Sequence, residues 1–141
     1  MLVDIIVHMH YYNVALVLAS GLITGVWGLI LYFRKLPITE KELYRPWRIS
    51  LIITAILGLL QGALGLTLVA LGQKPGGGVG LYYLHYVYGA IVAFAIPVAL
   101  TYTTSGKNPR RDMLIFSIAA LILVAAGIRG WMTGPYPPIG G

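Results

Sequence analysis

Four long apolar runs constrain what this chain can fold into. They cover about residues 5–33, 49–72, 81–104 and 112–133, and each approaches the ~20 residues that a helix needs to cross a ~30 Å hydrocarbon core. Only helices and closed barrels satisfy their backbone hydrogen bonds in lipid, and these runs lack the alternation of barrel strands. The sequence therefore predicts an all-α membrane protein, a four-transmembrane-helix bundle forming one domain over residues 1–141.

The composition supports this class and excludes several others. Apolar residues make up 58% of the chain and charged residues only 10%, against roughly a quarter charged in soluble domains. The chain has no cysteine, which excludes disulfides, thiolate metal sites and iron–sulfur clusters. Its formal charge of +6 forms no soluble basic face, so nucleic acid is not an expected partner.

The basic residues predict the orientation of the bundle. The first connection, 34–48, contains Arg34, Lys35, Lys41, Arg45 and Arg48, and the third contains Lys107, Arg110 and Arg111, whereas the second has only Lys74. Because Lys and Arg concentrate in cytoplasmic loops, the first and third connections are predicted to be cytoplasmic. Both termini and the second connection then face outward, and the expected location is a prokaryotic plasma membrane.

The connections differ in their predicted structure. Connection 34–48 reads as a short interfacial helix, since Pro37 breaks the preceding span and Thr39 with Glu42 has capping-box spacing; Pro46 and Trp47 then mark re-entry into the membrane. The glycine-rich stretch 73–80 is either a lid or a flexible turn. A helix stop is expected at Gly106 and a start near Pro109. The tail 134–141 is predicted to be extended.

The two halves of the chain look alike. The matches are His10-Tyr11-Tyr12 with His85-Tyr86-Val87, Gly62-x-x-Gly65 with Gly127-x-x-Gly130, and Lys35-Leu36-Pro37 with Lys107-Asn108-Pro109. Either the bundle consists of two similar helical hairpins or apolar segments resemble each other by chance. In the first case the hairpins are related by a pseudo-two-fold axis along the membrane normal, as in parallel transporter repeats.

The repeat makes His10 and His85 a symmetric pair. If the first and third spans are diagonal neighbours, the two side chains point at each other, which is the geometry of bis-histidine haem ligation. The alternative is that both are interfacial residues bonded to nearby tyrosines. His8 cannot join them, because two residues along a helix rotate a side chain by roughly 200°. The spans also contain glycines that either leave room for a macrocycle or form helix contacts: Gly21, Gly25, Gly62, Gly65, Gly89, Gly127 and Gly130.

Three further polar residues call for an explanation. Arg129 lies inside the fourth span, where a charge is costly; it either snorkels outward beside Trp131 or, with Lys74, pairs with haem propionates. Gln61 at mid-span indicates interhelical hydrogen bonding rather than a ligand site. The tyrosines near the outer face form an aromatic belt or flank a quinone or pigment.

His10 and His85 at the starts of two parallel spans, with Gly62 and Gly127 on the intervening helices, resemble small four-helix b-type membrane cytochromes. The nearest comparisons are cytochrome b561-like proteins and one half of a haem A synthase. Cytochromes b561 usually carry haem ligands at both membrane faces, whereas this chain has no histidine on the predicted cytoplasmic side. The resemblance therefore implies one haem b.

Two functions remain open on this basis. The first is a single-haem membrane electron-transfer protein or subunit, with His10 and His85 as metal ligands and Arg129 and Lys74 near the propionates. The second is a non-catalytic accessory subunit of a respiratory or photosynthetic membrane complex that holds lipid, quinone or pigment. Expected partners are the bilayer, other membrane subunits or a second copy of the chain. The sequence does not decide whether the chain is an enzyme.

Overall fold

The computed structural model describes residues 1–35 and 41–134. It contains the helices α1 (Leu2–Phe33), α2 (Lys41–Ala70), α3 (Tyr83–Leu100) and α4 (Pro109–Thr133), with a short 3₁₀ segment, Pro75–Gly78, between α2 and α3. Four helices are long and apolar enough to cross a membrane. The predicted all-α fold with four spans is therefore confirmed.

The helices form a ring with two diagonal pairs. α1 packs against α2 and α4, and α3 packs against the same two helices. The histidine-bearing helices α1 and α3 thus face each other across the bundle axis, which is the arrangement that a ligand pair on these helices requires.

Small and polar side chains share the interior with a few large apolar ones such as Trp47 and Leu123, whereas most large apolar side chains face outward. Thr24, Thr54 and Ser117 are fully buried, while Leu66 is 72% exposed and Ile56 59% exposed. Helices in lipid gain nothing from burying leucine against leucine and instead associate through small residues and hydrogen bonds. The exposed apolar faces suit a lipid environment, so the chain is an integral membrane protein.

A close helix contact joins α1 to α4 through glycines. A Cβ atom on Gly25 would lie 2.7 Å from the Leu121 side chain and 3.2 Å from the Ser117 carbonyl oxygen, and one on Gly21 would lie 2.9 Å from Val124 Cγ2. A methyl group does not fit at such distances without displacement. Gly21 and Gly25 are therefore helix contacts and leave no room for a cofactor.

Helix α2 differs from the prediction because it runs without a break through Pro46. Trp47, expected to mark re-entry into the membrane, is 1% exposed, and its indole Nε1 donates to the Thr24 carbonyl oxygen over 3.0 Å. The hydroxyl of Thr24 also contacts those of Ser50 at 2.5 Å and Thr54 at 3.0 Å. Burial of this indole and its bond to α1 hold the first turns of α2 in line with the span.

Two predicted features lie outside the described residues: the capping side chains of Thr39 and Glu42, and the tail from residue 135 onward.

In the turn between α3 and α4 the predicted helix start near Pro109 is confirmed, whereas the predicted stop at Gly106 is wrong, because α3 already ends at Leu100. Gly106 has a φ of +86°, and α4 begins at Pro109 with Asn108 as its cap, whose side chain accepts a bond from the Arg111 amide. The carboxylate of Asp112 accepts bonds from the Thr104 amide at 2.7 Å and the Gly106 amide at 3.1 Å. One buried acid thus fixes the whole turn.

A matched pair of glycine variants tests the α1–α4 contact. Gly25→Ala is expected to destabilise the protein by about 1–3 kcal/mol, because the added methyl group overpacks a closed interface. Gly89→Ala on α3, where a Cβ meets no atom within 4 Å, should be no less stable than the unchanged protein, since alanine favours helix by about 1 kcal/mol. Thermal unfolding in one detergent, followed by circular dichroism, measures both. Equal melting temperatures for the two variants would contradict the packing described.

Candidate functional site

The rings of His10 and His85 face each other across the bundle. Their centroids are 6.1 Å apart and their planes are inclined at 54°, and both side chains are half-buried. A metal bound by one nitrogen of each ring holds two imidazole centroids about 6 Å apart, given metal–nitrogen bonds of about 2 Å. The structure therefore brings the two predicted ligands together at the spacing of a shared metal.

His85 is oriented by the backbone of α4. Its Nδ1 lies 2.8 Å from the Gly130 carbonyl oxygen, and since a carbonyl only accepts, Nδ1 carries the proton and donates. Nε2 of the neutral ring then keeps its lone pair. A histidine that donates through one nitrogen to a carbonyl and presents the other is the usual form of a metal ligand.

His10 is held by a buried amide pair on α1 and α2. The Gln61 amide nitrogen lies 3.1 Å from the His10 carbonyl oxygen and 3.3 Å from its Nε2. Asn13 fixes the orientation of that amide, because its own nitrogen donates to Gln61 Oε1 at 2.7 Å and to the Leu57 carbonyl oxygen at 3.0 Å. The bond to the His10 carbonyl oxygen holds Gln61 in place even when the longer contact to the His10 ring is broken.

The other nitrogen of His10 has no partner. Among buried side-chain nitrogen and oxygen atoms in the described part of the chain, His10 Nδ1 alone makes no hydrogen bond. Such an atom costs about 1–3 kcal/mol, so proteins retain one mainly where a ligand, water or function requires it. Here it belongs to a residue that faces a second histidine.

Both histidines line a cavity of about 630 Å³ among the four helices. This volume lies within the roughly 300–1,000 Å³ of small-molecule sites. Gly89 lines it, and a Cβ there would meet nothing within 4 Å, whereas one on Gly65 would lie 3.4 Å from the His10 ring. Gly89 thus leaves open space in the cavity, whereas Gly65 packs close to the His10 ring.

The glycine-rich connection covers one end of the cavity. Gln73, Lys74 and Pro75 line it, and the Gly76 amide donates to the Gly134 carbonyl oxygen over 2.8 Å. Gly76 has a φ of +55°, a left-handed conformation that glycine adopts without strain. Of the two predicted alternatives, lid or flexible turn, the position of this segment favours the lid.

The two predicted cations, Lys74 and Arg129, differ in their position relative to the cavity. Lys74 lines the cavity. Arg129 is exposed on the outside of α4, with its guanidinium 5.9 Å from the centre of the Tyr88 ring, and it is not a lining residue, although Tyr88 is. Lys74 is therefore at the site, and Arg129 lies one aromatic ring away from it.

His8 points away from the pair, as predicted. It is exposed, and its Nδ1 contacts the Asp4 carbonyl oxygen at 2.6 Å within α1.

Asn13 is the site residue that sequence reasoning missed. It is 5% exposed and lies one helical turn after His10, in an otherwise apolar run. Residues three apart share a helix face, so an amide on the face of His10 was the available signal. The second half has no equivalent pair: Tyr88 follows His85 at that spacing, and Ala126 precedes Gly127 as Gln61 precedes Gly62.

Within the described residues, no group of three or more His, Cys, Asp or Glu side chains could hold a metal ion. A metal between His10 and His85 would therefore take two ligands from these side chains and its other ligands from elsewhere. Comparison of the chain with protein-family models, with curated proteins and with solved structures gave no match.

The amide pair can be tested apart from any cofactor. Asn13→Ala removes the donor to the Gln61 oxygen and leaves that buried acceptor unpaired, so the free energy of unfolding should fall by about 1–3 kcal/mol. Thr67→Ala is the control, because the exposed Thr67 hydroxyl bonds only within its own helix, to Ala63. Chemical unfolding in detergent micelles compares the two. A loss in Thr67→Ala as large as in Asn13→Ala would contradict the role of the buried pair.

Proposed function

We propose that this protein is a single-haem, b-type membrane electron-transfer protein or subunit that holds haem b between His10 and His85. The observation that carries the proposal is the 6.1 Å separation of the two rings, which within residues 1–35 and 43–134 are joined by no third His, Cys, Asp or Glu ligand. Two axial nitrogens are what a haem iron takes from a bis-histidine protein, since the macrocycle supplies the other four.

The residues present fit such a group. His85 would bind through Nε2, because Gly130 occupies Nδ1, and His10 has a buried nitrogen without a partner. The cavity has apolar walls, and Gly89 leaves open space in it. When bound, the haem iron would accept and release one electron at a time.

The protein's own groups would set the conditions for that exchange. Low polarity around the histidines and the covering segment at 73–75 limit the access of water, which favours the less charged redox state of a bound group. Gln61 and Asn13 restrain His10, and Gly130 restrains His85, so ligand orientation is fixed by the backbone and by amides. Lys74 at the cavity and Arg129 beyond Tyr88 are the groups we assign to the propionates.

Histidine variants give the direct test. The purified protein, expressed with sufficient haem, should show Soret and α bands in its reduced-minus-oxidised difference spectrum. Both His10→Ala and His85→Ala should lose these bands, whereas His8→Ala, on the same helix but on another face, should keep them. Absent bands in the unchanged protein, or bands that survive both ligand substitutions, would refute the proposal.

A redox titration distinguishes the contributions of Lys74 and Arg129. Lys74→Gln should lower the midpoint potential by roughly 20–40 mV, because loss of a partly exposed positive charge favours the oxidised form by about 0.5–1 kcal/mol. Arg129→Gln, whose side chain lies behind Tyr88, should shift it less. A larger shift in Arg129→Gln would reverse the assignment and make Arg129 the nearer partner of the propionates.

A second candidate is the accessory subunit of a larger membrane complex, and one observation favours it. Helix α1 begins eight residues before His10, whereas α3 begins two residues before His85, so the first turns of α1 extend past the start of α3 by about 9 Å. Leu2 and Ile5 on this projection are 63% and 51% exposed. Co-purification with larger cofactor-bearing subunits, together with a haem-free spectrum of the isolated chain, would support this candidate.

A further inference from the structure

A second concavity of about 540 Å³ lies between α3 and α4, on the side of the bundle that faces lipid. Ala95 and Ala99 of α3 and Ala119 of α4 line it among larger apolar side chains such as Ile122. Alanines at these positions leave a groove where leucine or phenylalanine would fill the surface. The groove does not include either histidine.

The length of this groove matches one leaflet of a bilayer. Its lining on α4 extends from Arg111 to Ile122, twelve residues that span about 16 Å of helix. Half of a ~30 Å hydrocarbon core is about 15 Å. A single acyl chain that starts at the level of Arg111 would therefore reach the middle of the membrane.

The polar end of the groove carries an available positive charge. Arg111 lines the groove there and forms no ion pair within residues 1–35 and 43–134, where the one ion pair joins the amino terminus to Asp4. The neighbouring carboxylate of Asp112 is occupied by Thr104 and Gly106. The first turn of α4, which begins at Pro109, adds the positive end of a helix dipole.

The adjacent arginine is used differently, which leaves Arg111 as the groove's own cation. Arg110 donates to the Tyr32 carbonyl oxygen over 2.8 Å, and its guanidinium lies 4.9 Å from the centre of the Tyr32 ring. It thereby ties the end of α1 to the start of α4. Arg111, by contrast, is exposed beside the apolar groove.

We propose that this groove is a binding site for one phospholipid with an anionic headgroup, whose acyl chain lies over Ala95, Ala99 and Ala119 and whose phosphate faces Arg111. A guanidinium binds phosphate through two parallel hydrogen bonds. The site lies at the membrane face that the basic connections predict to be cytoplasmic, where anionic lipids attract Lys and Arg. A protein partner would bury a larger surface than this narrow groove with its single charged end.

Native mass spectrometry of the full chain tests the site. The protein is exchanged into detergent micelles containing equal amounts of phosphatidylglycerol and phosphatidylcholine with identical acyl chains, and the retained lipids are counted. One phosphatidylglycerol should be retained in roughly fivefold preference over phosphatidylcholine, the ratio expected from one favourable contact between a basic residue and the lipid surface. Arg111→Gln should remove this preference. Arg48→Gln, which removes a cation from the same end of the bundle but outside the groove, should keep it.

A second variant tests the groove without changing the charge. Ala95→Leu fills the channel between α3 and α4 and should release the retained lipid of either kind, while circular dichroism shows an intact helical fold. A preference that persists in Arg111→Gln, an equal loss in Arg48→Gln, or full retention of lipid by Ala95→Leu would each overturn the proposal. The first two outcomes would mean binding by general surface charge, and the third would mean binding elsewhere.

Discussion

Every polar group inside this bundle must find its partner within the protein, because hydrocarbon offers none. Thr24 therefore joins the hydroxyls of Ser50 and Thr54, and Asn13 joins Gln61. These bonds also determine the rotation of each helix about its own axis, because apolar contact between helices in lipid favours no particular rotation strongly. Among the buried side-chain nitrogen and oxygen atoms that the structure describes, the exception is His10 Nδ1. Because the other buried polar side-chain atoms that the structure describes are paired, this unpaired nitrogen is stronger evidence for a functional role than it would be in a looser structure.

The sequence predicted features that depend on order along the chain. Span length and apolarity identified four helices, and Gly106 with Pro109 located the third turn. Matching His10 with His85 selected two residues whose rings the structure brings within 6.1 Å. The match was informative because His10 on α1 and His85 on α3 lie opposite each other in the bundle.

Features that depend on helix rotation were not predictable in the same way. Trp47 was expected at the membrane surface, but its indole is directed at Thr24. Gly25 and Gly89 are the same residue in similar apolar contexts, yet one closes a helix contact and the other lines a cavity. Arg129 faces Tyr88 rather than the cavity. In each case the outcome depends on which neighbour lies across the interface, and composition and spacing contain no such information.

The two ends of the bundle differ in how closely their helices pack. Away from the histidines, glycines on α1, the buried Trp47 and the Asp112 turn close the helices tightly. At the histidine end the helices separate around about 630 Å³, and the ligand rings are restrained by Gly130 and Gln61. A preformed site loses little of its binding free energy to ordering the protein. The asymmetry between the halves then has a physical consequence: His85 is fixed by a backbone carbonyl, whereas His10 has only a long contact to an amide. We infer that His10 is the ring that adjusts when a ligand enters, and His85 the one that sets its position.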